Sequence, residues 1–255
     1  MLSGWQSGLG VVSCTLAVER TGRLNRLSLG LCGCVLLASC GGKADKPVTV
    51  AAAPAIASMT APPPVPEPRL PAALRTAGMS WRKVATDRDR ERLRTWRTAW
   101  LTALAKVRAA GRGADLTGQG SLFEPDHALS NPAPPPGRYR CRVFKLGAHG
   151  TAMRDFTAYP PYECRINDEG EVSSLYKVGG SQRPVGLLFA DSPSRQVFLG
   201  TMMFGDEKKP MDYGHDDGRD RVGYVEHIDD KRWRLVLPWP KFESIIDVIE
   251  LVPAE

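Results

Sequence analysis

From Gly137 onward the chain is a succession of short apolar segments separated by turn sequences, and this pattern limits the possible folds most strongly. Eight segments follow one another: YRCRV, YECRI, SSLYKV, RPVGLLF, QVFLGTMMF, GYVEHI, RWRLVLPW and FESIIDVIELV. The turn sequences between them include NDEG, GGSQ, DSPS and DD, together with one long polar loop. In RWRLVLPW the bulky apolar residues alternate with arginine, as in a half-buried strand. The pattern predicts a mainly β fold, an antiparallel meander of about eight strands that closes into a small barrel.

Two of these segments are ambiguous. FESIIDVIELV is long enough to form a helix, but its isoleucine and valine content favours a strand. In the first strand, Tyr139, Cys141 and Val143 share one face, whereas Phe144 and Leu146 fall on the other. This change of phase predicts a β-bulge or a sheet edge.

One amphipathic helix is predicted before the strands, which makes the fold class α+β. Thr86 or Asp87 can cap its N-terminus, and Gly111 ends it. Apolar residues recur at steps of three and four and form one stripe: Leu93, Trp96, Trp100, Leu104 and Val107. We expect this stripe to pack against the sheet, with the helix either closing one end of the barrel or lying outside it.

The N-terminal region resembles a bacterial lipoprotein signal. Three arginines, Arg20, Arg23 and Arg26, precede an apolar run that ends in Leu37-Ala38-Ser39-Cys40, and this run is too short to span a bilayer. The resemblance implies cleavage before Cys40 and lipidation of its thiol. We therefore expect a signal peptide over residues 1–39, an Ala/Pro-rich disordered tether over 40–78, and one folded domain over 79–255. An ordinary secretory signal or a short buried helix is the alternative.

This signal predicts a location in the cell envelope. The residue after Cys40 is glycine rather than the aspartate that often retains lipoproteins at the inner membrane. The resemblance therefore implies a lipid anchor in the outer membrane, with the domain facing the periplasm. The membrane, through this anchor, is then the first expected partner.

Cysteine usage agrees with export. Four of the six cysteines lie at or before residue 40, so only Cys141 and Cys164 remain in the predicted domain. Two leftover cysteines in an oxidising compartment usually pair, and their strands are neighbours in a meander, so we predict a disulfide. Two unpaired thiols are the alternative. The signal holds three of the 34 basic and one of the 28 acidic residues, which leaves a net charge of +4, and we expect no nucleic-acid partner.

The chain carries no recognisable catalytic or cofactor motif. No two of its four histidines stand at a metal-binding spacing, and Ser181 lies outside any Gly-x-Ser-x-Gly sequence. The acidic segment 206–221 departs from the calcium-loop pattern, so we expect no metal and no cofactor. The candidate ligand-binding residues are Gln182 and Arg183, which lead into a strand, and Tyr213 and His215 in the acidic segment.

Several segments together resemble a known family. PGRYRCRVFKLG, GSQRPVG, VFLGT and LVLPWPKFESIIDVIELVP are similar to domain of unknown function 4893, a family of alphaproteobacterial envelope lipoproteins, over about residues 80–255. This resemblance implies export, paired cysteines and a compact single domain. It implies no activity.

Three functions fit these observations. We predict first a non-enzymatic outer-membrane lipoprotein that binds a small apolar or lipid-like ligand, or another envelope component. The alternative is a periplasmic hydrolase that uses carboxylates of the 206–221 loop as acid and base. A structural or assembly partner is the third.

Overall fold

The computed structural model describes residues 80–150 and 152–255, and the predicted signal peptide, Cys40 and the tether lie outside them. The helices are α1 (Trp81–Val84), α2 (Asp87–Arg94), α3 (Trp96–Ala109), α4 (Gly113–Thr117) and a 3₁₀ helix (Gly120–Phe123). The strands are β1 (Gly137–Ala148), β2 (Phe156–Ala158), β3 (Tyr162–Asp168), β4 (Ser173–Lys177), β5 (Gln182–Ser192), β6 (Arg195–Phe204), β7 (Asp220–Asp229), β8 (Arg232–Pro238) and β9 (Ser244–Pro253). None of the helices in the described part of the chain is long and apolar enough to cross a membrane.

The strands form one closed antiparallel sheet. From β3 to β9 each strand pairs with the next, β3 also pairs with β1, and β1 pairs with β9. Strands β2 and β3 both pair with the same side of β1 and act as two parts of one barrel strand. Pro160 and Pro161 separate the two parts, because proline has no N–H to donate to the ladder. The predicted eight-stranded barrel is therefore confirmed.

The register of β1 corrects one expectation. β1 and β9 keep one register from Tyr139 opposite Pro253 to Ala148 opposite Ser244, so β1 itself has no bulge. The irregularity lies in its other partner, where the register shifts by one residue between β3 and β2. The hydrophobic phase changes for another reason. Phe144 and Leu146 lie on the outer face of the barrel, where α3 covers them and makes that face apolar as well.

The predicted helix is divided in two and lies outside the barrel. The Oγ1 of Thr86 accepts a hydrogen bond from the N–H of Asp89 and caps α2. The helix breaks at Thr95, whose hydroxyl donates to the carbonyl of Glu91 and accepts from Trp239 Nε1; bonding back to residue i−4 bends helices. Leu93 at the end of α2 packs over β5–β7, whereas α3 packs over β1, β8 and β9.

A buried arginine–glutamate–arginine cluster fastens the connection after α4 to the outside of the barrel. Glu226 Oε1 accepts from Arg195 Nε at 2.6 Å, and Glu226 Oε2 accepts from Arg234 Nε at 2.8 Å. Arg234 also donates to the backbone carbonyls of Ser121, Leu122 and His127. Glu226 and Arg234 are both 0% exposed. This one guanidinium therefore joins strand β8 to residues 121–127.

Half of the barrel interior is an apolar core. The predicted disulfide between Cys141 and Cys164 is present, with the two Cα atoms 6.0 Å apart. Buried side chains from every side of the barrel surround it: Tyr139, Ile166, Leu175, Leu188, Phe198, Val225, Trp233, Leu235, Ile249 and Leu251. Gly186 and Gly200 face each other so closely that a Cβ on Gly200 would lie 2.2 Å from the carbonyl oxygen of Val185. The barrel's own side chains thus occupy this half.

Candidate functional site

The other half of the barrel interior carries charged and polar side chains. Each comes from an inward-facing position, or from the turn just before β9, as the strand pairing indicates. We call this group the polar cluster: Lys145, Tyr162, Lys177, Gln182, Arg221, Glu243 and Asp247. On β1, for example, Lys145 follows Cys141 and Val143 on the inward face and lies opposite Asp247 of β9.

A buried lysine between two carboxylates forms one side of the polar cluster. Lys145 Nζ lies 2.9 Å from Glu243 Oε2 and 3.1 Å from Asp247 Oδ2, and Lys145 is only 8% exposed. Asp247 Oδ1 accepts a further hydrogen bond from the hydroxyl of Ser244. Burial opposes the charged ammonium, but Asp247 and Glu243 outweigh it and raise the pKa of Lys145 above its ordinary value. This side carries a net charge of −1, because one ammonium faces two carboxylates.

Two further cations, Lys177 and Arg221, lie on the other side, and the charge of Asp247 also acts on Arg221. Arg221 is 6% exposed, and its Nη1 donates to the carbonyls of Gly218 and Asp220 at 2.8 and 2.9 Å. Burial lowers the pKa of Arg221. Burial also lowers the pKa of Lys177, and the charges of Arg183 and Lys145 add to that effect. Three cations thus face two carboxylates, so the polar cluster has a formal charge of +1.

Two buried hydrogen-bond donors of the polar cluster have no partner: Arg221 Nε and Tyr162 Oη. The ring of Tyr162 lies beneath Lys177, whose Nζ is 4.2 Å from the ring centroid. Burial raises the pKa of Tyr162, and the charge of Asp247 adds to this, so its hydroxyl keeps its proton at neutral pH. Buried polar groups are nearly always hydrogen-bonded to protein or to ordered water, so each of these two donors has a hydrogen bond left to give.

Backbone strain occurs at the same end of the barrel. The turn between β8 and β9 holds Trp239 and Glu243 at positive φ angles of 49° and 70°. Non-glycine residues adopt this region at a cost, and such strain is concentrated at functional sites. Here it accompanies the turn that presents the Glu243 carboxylate to Lys145. The same turn carries Phe242, which is 54% exposed, and the β6–β7 loop carries Met211, which is 38% exposed.

The structure brings one of the four sequence-predicted ligand residues into the polar cluster. Gln182 Nε2 donates to Glu243 Oε1 at 3.4 Å. Arg183 lies on the opposite face of β5 and donates to the backbone carbonyls of Gly180, Gly205 and Glu207. Tyr213 and His215 lie in the β6–β7 loop, where His215 is exposed. The ligand-binding role of these residues stays a prediction.

Sequence reasoning missed the other six members of the polar cluster. A usable signal was present, because Lys145 and Asp247 occupy the same alternating positions as the apolar residues of their strands. A charged residue at an inward position of a small barrel is costly unless it is paired or functional. Such positions are therefore worth treating as candidates.

The acidic 206–221 loop is attached to helix α2. Tyr213 Oη donates to Asp89 Oδ2 at 2.6 Å, and Arg92 Nη1 donates to Asp89 Oδ1 at 2.6 Å. Asp220 is buried nearby and accepts from the N–H of Gly214 at 3.0 Å. Burial raises the pKa of Asp220 to about 6, and the charge of Asp89 adds to this against the Gly214 hydrogen bond. These contacts serve the attachment of the loop, and the hydrolase alternative stays a prediction.

Two other carboxylates of this loop also contact the protein itself. Asp216 Oδ1 accepts from the N–H of Gly218 at 2.7 Å, and Asp217 Oδ2 accepts from Arg88 Nη1 at 2.6 Å. Within residues 80–150 and 152–255, no group of three or more His, Cys, Asp or Glu side chains is placed to hold a metal ion.

Comparison with known proteins gives one match. A family model described as "Domain of unknown function (DUF4893)" matches residues 81–251. No curated protein and no solved structure matches the chain. The matched range includes the helices and nearly the whole barrel.

Proposed function

We propose a function for this chain, which belongs to the DUF4893 family. It is a lipid-anchored envelope protein, and its barrel binds a small molecule at the polar cluster. The observation that carries the proposal is the pair of unpartnered donors, Arg221 Nε and Tyr162 Oη, inside the barrel. Leaving a buried donor unsatisfied costs about 1–3 kcal/mol, and a bound ligand would recover that cost.

The proposed binding is located at one end of the barrel. The apolar half contains packed side chains around the cystine, whereas the polar half contains the residual charge and the strained turn. Small-molecule sites commonly combine apolar walls with a few convergent polar groups, and barrel mouths are frequent places for them. The ligand would therefore contact the polar cluster first, and the apolar core would support it from behind.

The anchor and the location are proposed from the N-terminal sequence. Leu37-Ala38-Ser39-Cys40 has the order of a lipoprotein signal, and the cystine fits an exported protein, because disulfides persist in oxidising compartments. An acylated Cys40 and the Ala/Pro-rich segment 40–78 would hold the barrel near the outer membrane on its periplasmic side. More than one acyl chain makes such anchoring stable.

The anchor is tested by fractionating cells that express the full chain. We expect the chain in the membrane fraction, with the mass of an acylated Cys40 on its N-terminal peptide, and a Cys40→Ser variant without that modification. An unmodified, uncleaved chain in the cytosol would contradict the proposed location.

Binding is tested by native mass spectrometry of the same protein extracted from envelopes. We expect a non-covalent adduct that dissociates on unfolding. A barrel that carries no adduct, and whose melting temperature stays constant across fractions of an envelope small-molecule extract, would contradict the binding function.

A further inference from the structure

We infer that the ligand presents an anionic oxygen group, a carboxylate or a phosphate, which accepts hydrogen bonds from Arg221 Nε and Tyr162 Oη. This inference rests on the proposed function, because it specifies the ligand of the same site. It specifies the chemistry of the recognised group rather than one compound.

The type of the unpartnered atoms gives the first argument. A guanidinium N–H and a phenol O–H are both donors, and the ordinary acidity of neither allows it to lose its proton at neutral pH. Both cluster carboxylates lie within ion-pair distance of Lys145, although Glu243 Oε2 makes no hydrogen bond of normal geometry. A ligand that fits must therefore supply acceptors, and the oxygens of a carboxylate or phosphate are acceptors only.

The charge of the polar cluster gives the second argument. The polar cluster holds three cations, Lys145, Lys177 and Arg221, against two carboxylates that both contact Lys145, so one positive charge is left over. An excess charge in a largely buried cluster is unfavourable, and a single anion placed between Lys177 and Arg221 would cancel it. Hydrogen bonds from a charged donor to an anion are also about twice as strong as neutral ones.

Preorganisation gives the third argument. The Arg221 guanidinium is held by two backbone carbonyls through Nη1, so the direction of its Nε–H is fixed before any ligand arrives. Lys177 lies over the ring of Tyr162, which keeps the ammonium beside the phenol. A site whose donors are already oriented loses little side-chain entropy on binding.

The exposed apolar residues at this end indicate the rest of the ligand. Phe242 and Met211 lie on the two loops that follow β8 and β6, strands whose C-terminal ends border the polar cluster. An apolar chain attached to the anionic group would find these side chains outside the barrel. We therefore test short amphiphiles that share one chain and differ in the head group.

The test uses the processed full chain in lipid nanodiscs and isothermal titration calorimetry, with empty nanodiscs as the blank. The ligands are hexanoate, hexyl phosphate, hexanol and inorganic phosphate. We expect hexanoate or hexyl phosphate to bind at least about tenfold more tightly than hexanol, because one hydrogen bond to a charged group contributes that much affinity. Comparing hexyl phosphate with inorganic phosphate separates an amphiphile from a free anion.

Two tyrosine variants locate the binding. Tyr162→Phe removes only the unpartnered hydroxyl, so we expect an unchanged or higher melting temperature without ligand and about a tenfold to hundredfold loss of anion affinity. Tyr139→Phe is the matched control, because Tyr139 Oη donates to the carbonyl of Pro135 at 2.6 Å in the apolar half. This control is expected to lower the melting temperature and to leave anion affinity unchanged.

The outcomes separate this inference from the proposed function. Equal affinity for hexanol and hexanoate, or full anion affinity in the Tyr162→Phe variant, would overturn the anionic inference and leave a binding barrel in place. If none of the four compounds binds, the inference is also overturned. The adduct sought by native mass spectrometry then tests the proposed function independently. A lower ligand-free melting temperature for Tyr162→Phe would mean that this hydroxyl has a protein partner, which removes the basis of the inference.

Discussion

Replacing Glu226 by glutamine removes the negative charge that two arginines share on the outside of the barrel. Arg234 is completely buried, and its guanidinium is held by Glu226 and by three backbone carbonyls. The carbonyls remain after the substitution, but they are neutral. Arg234 therefore keeps its position and loses its counter-charge.

The expected destabilisation follows from this burial. Removing one partner of a buried ion pair costs about 3–5 kcal/mol, because an uncompensated charge stays behind. Glutamine retains one carbonyl acceptor for an arginine, so we expect a value near the lower limit, about 3 kcal/mol. In a folded domain of this size that corresponds to a fall of roughly 6–12 °C in melting temperature.

The chain offers a matched control at its surface. Glu163 also lies between two arginines, at 3.1 Å from Arg138 Nη2 and 2.9 Å from Arg165 Nε, but the side chain of Arg138 is 67% exposed. Water already solvates such charges, so Glu163→Gln is expected to cost at most about 1 kcal/mol. Urea unfolding followed by circular dichroism measures both variants, and a shifted midpoint at constant slope isolates the change in stability.

The contrast between the two glutamates is the decisive result. Equal and small losses for Glu226→Gln and Glu163→Gln would refute the reasoning, because burial would then have no effect on the energy of the cluster. Hydrogen exchange adds a local measurement. Residues 121–127 should exchange faster in the Glu226→Gln variant, because the uncompensated charge destabilises the packed state in which Arg234 holds them.

Three further predictions concern other parts of the barrel. Replacing Cys141 and Cys164 together by alanine opens a loop with a sequence separation of 23 residues, which the chain-entropy model values at about 3.4 kcal/mol; a urea-unfolding loss below about 1 kcal/mol would contradict this. Because the folded-state pKa of Asp220 is raised from 3.8 to about 6, its contribution to stability is complete below pH 4 and is lost as the pH rises to about 6. Asp220→Asn should therefore remove about 3 kcal/mol of that pH dependence, and parallel stability–pH curves for the two proteins would be evidence against it. Gly200→Ala would place a Cβ 2.2 Å from the carbonyl oxygen of Val185, so we expect a loss of about 3 kcal/mol or more in thermal unfolding, and a normal melting temperature would show that the strands separate easily.

Most of the fold could be predicted from the strand pattern, because the inner face of each strand meets the barrel interior and the outer face does not. In β8 the residues that alternate with arginine form the predicted apolar inner face, but the strand is not half exposed as predicted, because Arg234 on its outer face is 0% exposed. The closing segment forms strand β9, as its isoleucine content predicts. The same pattern misled at Phe144 and Leu146. An alternating pattern is expected only where the outer face is exposed to solvent, and α3 covers that face at Phe144 and Leu146.

The helix break shows a different limit of sequence reasoning. The apolar stripe from Leu93 to Val107 is real, but its first member packs on a different part of the barrel from the rest. The break depends on Trp239 donating to the Thr95 hydroxyl across 144 residues of sequence. Helical periodicity reports local spacing and carries no information about a contact of that range.

Single members of the polar cluster such as Lys145 and Asp247 leave a signal in the sequence, but their assembly into one site does not, for a related reason. Its members come from six strands and one turn, and no two neighbours in sequence belong to it. Gln182 and Arg183 are adjacent in sequence, but successive side chains of a strand point to opposite faces of the sheet, so only Gln182 belongs to the cluster. A motif search finds residues that are close in sequence, whereas this cluster is close only in space.

Closure of the sheet also limits how copies of this protein can associate. Among the described strands, only three-residue β2 leaves one side without a neighbouring strand, and that side ends at Pro160 and Pro161. Exposed strand edges are the usual templates on which chains add to one another and grow into fibrils. A folded population of these barrels has almost no such template. Fibril growth should therefore wait for the ladder between β1 and β9 to open.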